Sequence, residues 1–202
     1  CLMFPAWDCL PYDRVSPKIE IAARRIDTLS RLLRPAQRVV LTTVSAVLQR
    51  VPPRDAFEGA LLHVQAGSGL DRGELMAFLD AGGYANTGTV MEAGEYAVRG
   101  GIVDIFPPGQ DQPLRLDFFG DELESMRTFD PVTQRTTGEG HSIAVKPVSE
   151  VTLDADAVSR FRTGYRALFG APGAEDALYE AVSAGRRALG VEHWLALFYD
   201  RL

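Results

Sequence analysis

The sequence predicts a mixed fold: an α/β segment over residues 1–53, an α+β segment with an antiparallel sheet over 54–149, and a helical segment over 150–202. Three observations carry this. Helix, apolar strand and helix follow one another before Pro53, the order of an α/β unit. Between Tyr84 and Val148 short strand-like runs replace the helical period, and tight turn signals separate several of them. From Glu150 the helical period returns.

In chain order, Leu2-Met3-Phe4 ends a strand and leads into a loop rich in proline and aromatic residues. Ser16-Pro17 offers an N-cap with proline at the first helical position. The helix then runs to about Leu33. Ile19, Ala22, Ala23, Ile26, Leu29 and Leu33 form its apolar stripe, and Lys18, Arg24, Arg25 and Arg31 lie mostly off it. Val39-Val40-Leu41 is wholly apolar, which suits a buried parallel strand. Thr42 or Thr43 caps a second helix to about Arg50, stopped by Pro52-Pro53.

Past that break, Ala60 to Val64 reads as a strand. Asp71, with Glu74 three residues on, starts a helix with apolar positions Leu75, Phe78 and Leu79, ended by Gly82-Gly83. Strands follow near Thr87–Glu92, Glu95–Arg99, Ile102–Phe106, Leu114–Phe119, Leu123–Phe129 and Ile143–Val148, with the 71–81 helix packed on their sheet. Asp154 or Asp156 then opens a helix striped by Val158, Phe161, Tyr165 and Leu168. A second, alanine-rich helix spans 175–188, and the apolar ending from Gly190 is expected to pack on sequence outside this chain. Starting at Cys1 inside an apolar run, the chain reads as a piece of a longer polypeptide.

Apolar residues make up 46% of the chain and charged residues 24%, an ordinary balance for a soluble globular protein. No apolar run is long enough to span a bilayer, and no leader pattern is present. Cys1 and Cys9 are too few for a disulfide scaffold and read as reduced thiols of a cytosolic protein. The net charge of −6 is uneven. Residues 1–50 hold 8 basic and 4 acidic side chains, residues 51–150 hold 7 and 16, and residues 151–202 hold 6 and 7. The acidic middle would repel a phosphate backbone.

Signals for catalysis are weak. Gly67-Ser68-Gly69 is not followed by the Lys-Ser/Thr that a phosphate-cradling loop needs, and no nucleophile elbow occurs. His63, His141 and His193 are far apart in sequence. Asp117, Asp121, Glu122 and Glu124 read better as a solvated turn than as an acid–base pair or metal site. Arg24, Arg25 and Arg31 could touch phosphates but read better as a solvated helix face. Asp104, between apolar neighbours, requires a backbone amide or an arginine as partner.

The stretch Glu95–Asp130 organises the chain. Leu114-Arg115-Leu116-Asp117-Phe118-Phe119 alternates, so Leu114, Leu116 and Phe118 face the core while Arg115, Asp117 and Phe119 face the other way. Phe119 beside an arginine marks either a second small core under a neighbouring element or the anchor of a protein-binding surface.

The runs Glu95–Pro107 (EYAVRGGIVDIFP), Arg115–Glu122 (RLDFFGDE) and Phe129–Arg135 (FDPVTQR) resemble the bacterial transcription-repair coupling factor (Mfd) family, and more loosely the excision-repair protein UvrB. Trp7–Asp13 with Ser16-Pro17, and Met91-Glu92 with Gly94-Glu95-Tyr96, resemble the coupling factors specifically. The resemblance implies a degenerate helicase-like α/β domain (UvrB domain 1a-like) over 1–53, a UvrB domain 2-like α+β domain over 54–149, and the helical start of domain 1b over 150–202. It further implies a non-catalytic, cytoplasmic adaptor that binds no cofactor and recruits UvrA through Arg99, Arg115 and Phe119. RNA polymerase, DNA, ATP and magnesium would be engaged by other parts of the parent, an ATP-dependent translocase. The alternatives are a UvrB-type damage-verification protein and a DNA-binding domain using the basic first helix.

Overall fold

The computed structural model describes residues 1–11, 13–58, 61–120, 122–173 and 176–200. The chain divides into two compact units. One combines residues 1–58 with 149–202, and the other is the inserted stretch 59–148. The expected breaks near Pro53 and Glu150 lie within a few residues of these limits, but the two flanking stretches form one unit.

In the first unit, β1 (Leu2–Phe4) pairs in parallel with β2 (Val40–Thr42). Between them runs α1 (Ile19–Leu32). The parallel pairing matches the expectation for Val39–Leu41, but the burial does not, since Val39 and Leu41 are exposed. This sheet has two strands among the described residues, and Met3 and Leu41, which stand opposite each other on it, are both exposed. Ser16 does not cap α1, whose cap position is Lys18 without a side-chain bond. The Ser16 hydroxyl instead donates to Glu192 and accepts from the Gly190 amide. Thr43 does cap α2 (Val44–Leu48), accepting from the Ala46 amide at 3.2 Å, and a short α3 (Asp55–Glu58) follows.

The return segment contributes α5 (Ala155–Phe169) and α6 (Ala177–Ser183), and a 3₁₀ helix at Val191–Leu197. Asp154 caps α5 through the Ala157 amide at 2.7 Å. Phe161, Tyr179, Val182, Val191, Leu195 and Phe198 close one core. The apolar ending therefore packs inside its own unit, contrary to expectation, because the 3₁₀ turn folds Val191, Leu195 and Phe198 onto α5 and α6. Leu168, expected on the α5 stripe, is exposed. The alanine-rich helix is shorter than expected at its C-terminal end, and its expected start at position 175 lies outside the described residues.

The second unit is built on a six-stranded sheet in the order β4 (Ala85–Asn86), β5 (Glu95–Arg99), β6 (Ile102–Ile105), β7 (Leu114–Phe119), β8 (Glu122–Phe129), β9 (Thr136–Gly140). All neighbours are antiparallel except β4 and β5. Residues 87–92 form bends and irregular backbone rather than the expected strand, because Glu95 accepts from the Met91 and Glu92 amides and holds that loop. A separate antiparallel pair joins β3 (Leu62–Gln65) to β10 (Ser142–Val145). Position 60, the expected start of β3, lies outside the described residues.

Helix α4 (Arg72–Gly82) begins at Asp71, whose carboxylate accepts from the Glu74 amide at 2.8 Å. It ends at Gly83, whose φ of 94° is the left-handed conformation that glycine adopts without a Cβ penalty. Asp80 of α4 accepts from the Tyr96 hydroxyl at 2.6 Å, and Arg72 donates to the Gly100 carbonyl at 2.6 Å. Both bonds tie the helix to β5 and its following turn.

Candidate functional site

Register decides which side chains share a face of the sheet. Val98, Val103, Leu116, Met126 and Gly140 stand opposite one another in one row. The next row is Ala97, Asp104, Arg115, Arg127 and Glu139. Neighbouring rows point to opposite faces, so the first row, buried at Val103, Leu116 and Met126 but exposed at Val98, lies on the core side, and the second, where Ala97 and Asp104 are themselves covered, lies on the outer side. Leu114, Leu116 and Phe118 are buried and Phe119 is exposed, so the alternation read from the sequence holds to the end of β7.

Asp104 is the centre of the outer face. Its carboxylate is 0% exposed and accepts from two arginines on the flanking strands. Arg99 reaches it through Nη2, and Arg115 through Nε at 2.7 Å and Nη2 at 2.9 Å. The fork of Arg115 thus grips both carboxylate oxygens, the arrangement in which an ion pair is strongest. That grip holds the Arg115 guanidinium above its ordinary pKa. The sequence required one partner for Asp104, and the strand pairing supplies two. It also places Arg99, which sequence periodicity could not.

Arg115 is largely covered, with 17% of its side chain exposed, whereas Arg99 is 48% exposed. The Arg115 guanidinium lies 4.4 Å from the centre of the Phe129 ring. Phe129 belongs to a small core of its own with Val90, Ala97 and Phe106. The second small core anticipated from the sequence therefore exists, but it is built under Arg115 and leaves Phe119 out.

Phe119 is 75% exposed. It stands at the end of β7 opposite Glu122, just before the turn that starts with Gly120. It lies four positions along the strand from Arg115, roughly 13 Å. The outer face is therefore a strip with Asp104 and Arg115 at one end and the bare ring at the other, and Arg99 stands in the Asp117 row and reaches back to Asp104. Asp117 lies between them and pairs with Arg127 at 2.7 Å.

The turn before β6 lies at the Phe119 end of the strip. Gly100 has a φ of 61°, as the primed turn of a tight hairpin demands. A Cβ on Gly101 would stand 2.7 Å from the Phe118 carbonyl oxygen, which itself lies next to Phe119.

The remaining candidates fare differently. Glu122 and Glu124 are exposed, and Asp121 lies outside the described residues. Among the described residues no three His, Cys, Asp or Glu side chains gather as a metal site. His193 approaches Cys9 at 3.8 Å and stands edge-on to Trp7, while His63 and His141 are exposed on the other unit. No helix among the described residues is long and apolar enough to cross a membrane. Arg25, read as solvated, is 0% exposed and paired with Glu150, so the basic face of α1 loses one of its three named cations. Helical spacing concealed this, because an arginine adjoining the stripe is buried only when a distant carboxylate meets it.

The second unit is an α+β module whose outer face carries a bare aromatic ring. Residues 62–150 match the family model of the UvrB interaction domain. The chain belongs to the transcription-repair-coupling factor family. It is 39% identical to that factor of Escherichia coli (strain K12) over 194 residues, 96% of this chain and 17% of the relative. It is 38% identical to that of Haemophilus influenzae over 201 residues, 99% of this chain and 18% of the relative. The Bacillus subtilis factor is 27% identical over 159 residues. The chain thus spans under a fifth of the length of these curated relatives.

Proposed function

We propose that the chain serves transcription-coupled repair as a non-catalytic adaptor, and that its second unit recruits UvrA through Arg99, Arg115 and Phe119. The observation that carries this is Phe119, a large ring left bare on a rigid strand while the rest of its sheet buries its aromatics. An exposed aromatic beside fixed charge is the composition of a binding hot spot. Arg99 adds a half-exposed cation held in place by Asp104. Two guanidiniums on one carboxylate leave a net positive charge at that end, suited to an acidic patch on the partner.

In this reading residues 1–53 are the UvrB domain 1a-like part, 54–149 the domain 2-like part and 150–202 the start of domain 1b. The parent's motor, outside this chain, uses ATP and magnesium to displace stalled RNA polymerase from DNA in the cytoplasm, and the exposed strip then engages UvrA. The fragment itself needs no cofactor. A DNA-binding role for α1 is the weaker reading, given the burial of Arg25.

Calorimetric titration of the 202-residue chain with UvrA tests the proposal. Saturable binding that Phe119→Ala weakens is expected. Equal affinity for the parent chain and the variant would remove Phe119 from the site.

A further inference from the structure

The run Asp130–Gln134 is a turn whose bonds converge on Arg115. One Asp130 carboxylate oxygen accepts from the Val132 amide at 3.1 Å, the Thr133 amide at 2.6 Å and the Thr133 hydroxyl at 2.8 Å. These bonds hold the Asp130 carboxyl below its ordinary pKa. The Asp130 amide donates to the Arg135 carbonyl, and the Gln134 amide donates back to the Asp130 carbonyl at 2.8 Å.

Gln134 has a φ of 60°, and among the described residues it is the one non-glycine with positive φ. Such a conformation is strained for a residue with a Cβ and persists where the surroundings dictate it. Here the Gln134 side-chain amide donates to the carbonyls of Pro131 at 2.7 Å and Val90 at 3.2 Å. Its backbone carbonyl and side-chain oxygen then both face the Arg115 guanidinium, accepting at 3.3 and 3.5 Å. Asp104 takes Nε and Nη2 of Arg115, the Gln134 backbone carbonyl takes Nη1 while its side-chain oxygen shares Nη2, and the Phe129 ring covers a face.

We infer that Gln134, held left-handed by the Asp130 turn, is a positioning residue that sets the orientation in which Arg115 is presented to the partner. Asp104 alone fixes one edge of the guanidinium, and Gln134 locks its rotation from the opposite side. The inference deepens the proposed UvrA role and rests on it for its affinity readout, though not for its spectroscopic one.

Gln134→Gly is the informative variant. Glycine accepts the positive φ freely, so the turn still forms, but the side-chain bonds to Pro131 and Val90 that hold the carbonyl on Nη1 are lost together with the side-chain oxygen on Nη2. The 202-residue chain carrying it is expected to keep its thermal midpoint and to show a shifted or broadened Arg115 Nε–H resonance. Its UvrA affinity should fall roughly tenfold, the scale of one hydrogen bond to a charged group. Arg115→Lys keeps the charge beside Asp104 but lacks the fork, so adding Gln134→Gly to it should cost no further affinity. An unmoved Arg115 resonance, or an equal affinity loss in the Arg115 and Lys backgrounds, overturns the inference. If Phe119→Ala leaves UvrA affinity unchanged while the Arg115 resonance still responds to Gln134→Gly, the partner assignment fails and the positioning role stands.

Discussion

At the scale of single residues, Phe119 and Asp104 do opposite work. Phe119 is exposed, so Phe119→Ala removes contact area from a partner and little from the fold. It should weaken UvrA binding by about 2 kcal/mol, some thirtyfold, with an unchanged melting temperature. Arg115 gives a less clean test, since a carboxylate placed there would stand against buried Asp104 and disturb the fold itself. Asp104→Ala should be the most damaging change on this face. It strands Arg115, whose side chain is mostly covered, while half-exposed Arg99 turns to water, so the loss should be about 2 kcal/mol, the scale of hydrogen bonds to a charged group. Urea denaturation of the variant measures that loss. The alternation of Leu114–Phe119 made half of the strip legible in the sequence, because side chains two apart on a strand must share a face. Arg99 and Gln134 were not legible that way. They reach Asp104 and Arg115 through strand pairing and a left-handed turn, neither of which leaves a periodic trace.

At the scale of elements, local chemistry was readable wherever a short-range bond decides the structure. Asp71 caps its helix as expected, and Thr43 and Asp154, each one of two candidates, cap theirs, all through the amide three residues on. Strand β9 was missed because Thr136–Gly140 (TTGEG) has no apolar alternation. It is a strand only because β8 offers it an edge. The join between α4 and β5 yields a pH prediction. Burial, reinforced by the bond to Asp80, pushes the Tyr96 hydroxyl up to about 12. An unfolded tyrosine titrates near about 10. The folded state thus keeps its proton longer, so the contribution is full below the unfolded value and is lost as pH rises through the folded one. Tyr96→Phe, which cannot ionise, should be less stable than the parent at about pH 9, and that deficit should shrink toward about pH 12. Denaturant titrations at both pH values check it, and a constant deficit would show that Tyr96 does not titrate as described.

At the scale of the whole chain, the first unit is assembled from its two ends, and one buried ion pair records that assembly. Arg25 and Glu150 are 125 positions apart and both side chains are fully buried. Arg25 also donates to the Pro5 carbonyl at 2.8 Å and to Gln49 at 3.0 Å, and its guanidinium stacks 4.3 Å from the centre of the Phe4 ring. Glu150 accepts in addition from the Trp7 indole at 3.0 Å. Each charge has its bonds satisfied, so the pair is tolerated, yet desolvating both ions offsets much of their attraction. What the pair chiefly adds is specificity, since Arg25 is buried at little cost only when the return segment brings Glu150 to it. Glu150→Ala should therefore destabilise the first unit by about 3–5 kcal/mol, because it strands a buried cation. Arg25→Met combined with Glu150→Leu should recover most of that loss by removing both charges together. Urea denaturation of the single and double variants, followed through Trp7 and Trp194 fluorescence, decides between this view and one in which the pair is a net source of stability. In the latter case the double variant would stay as unstable as Glu150→Ala.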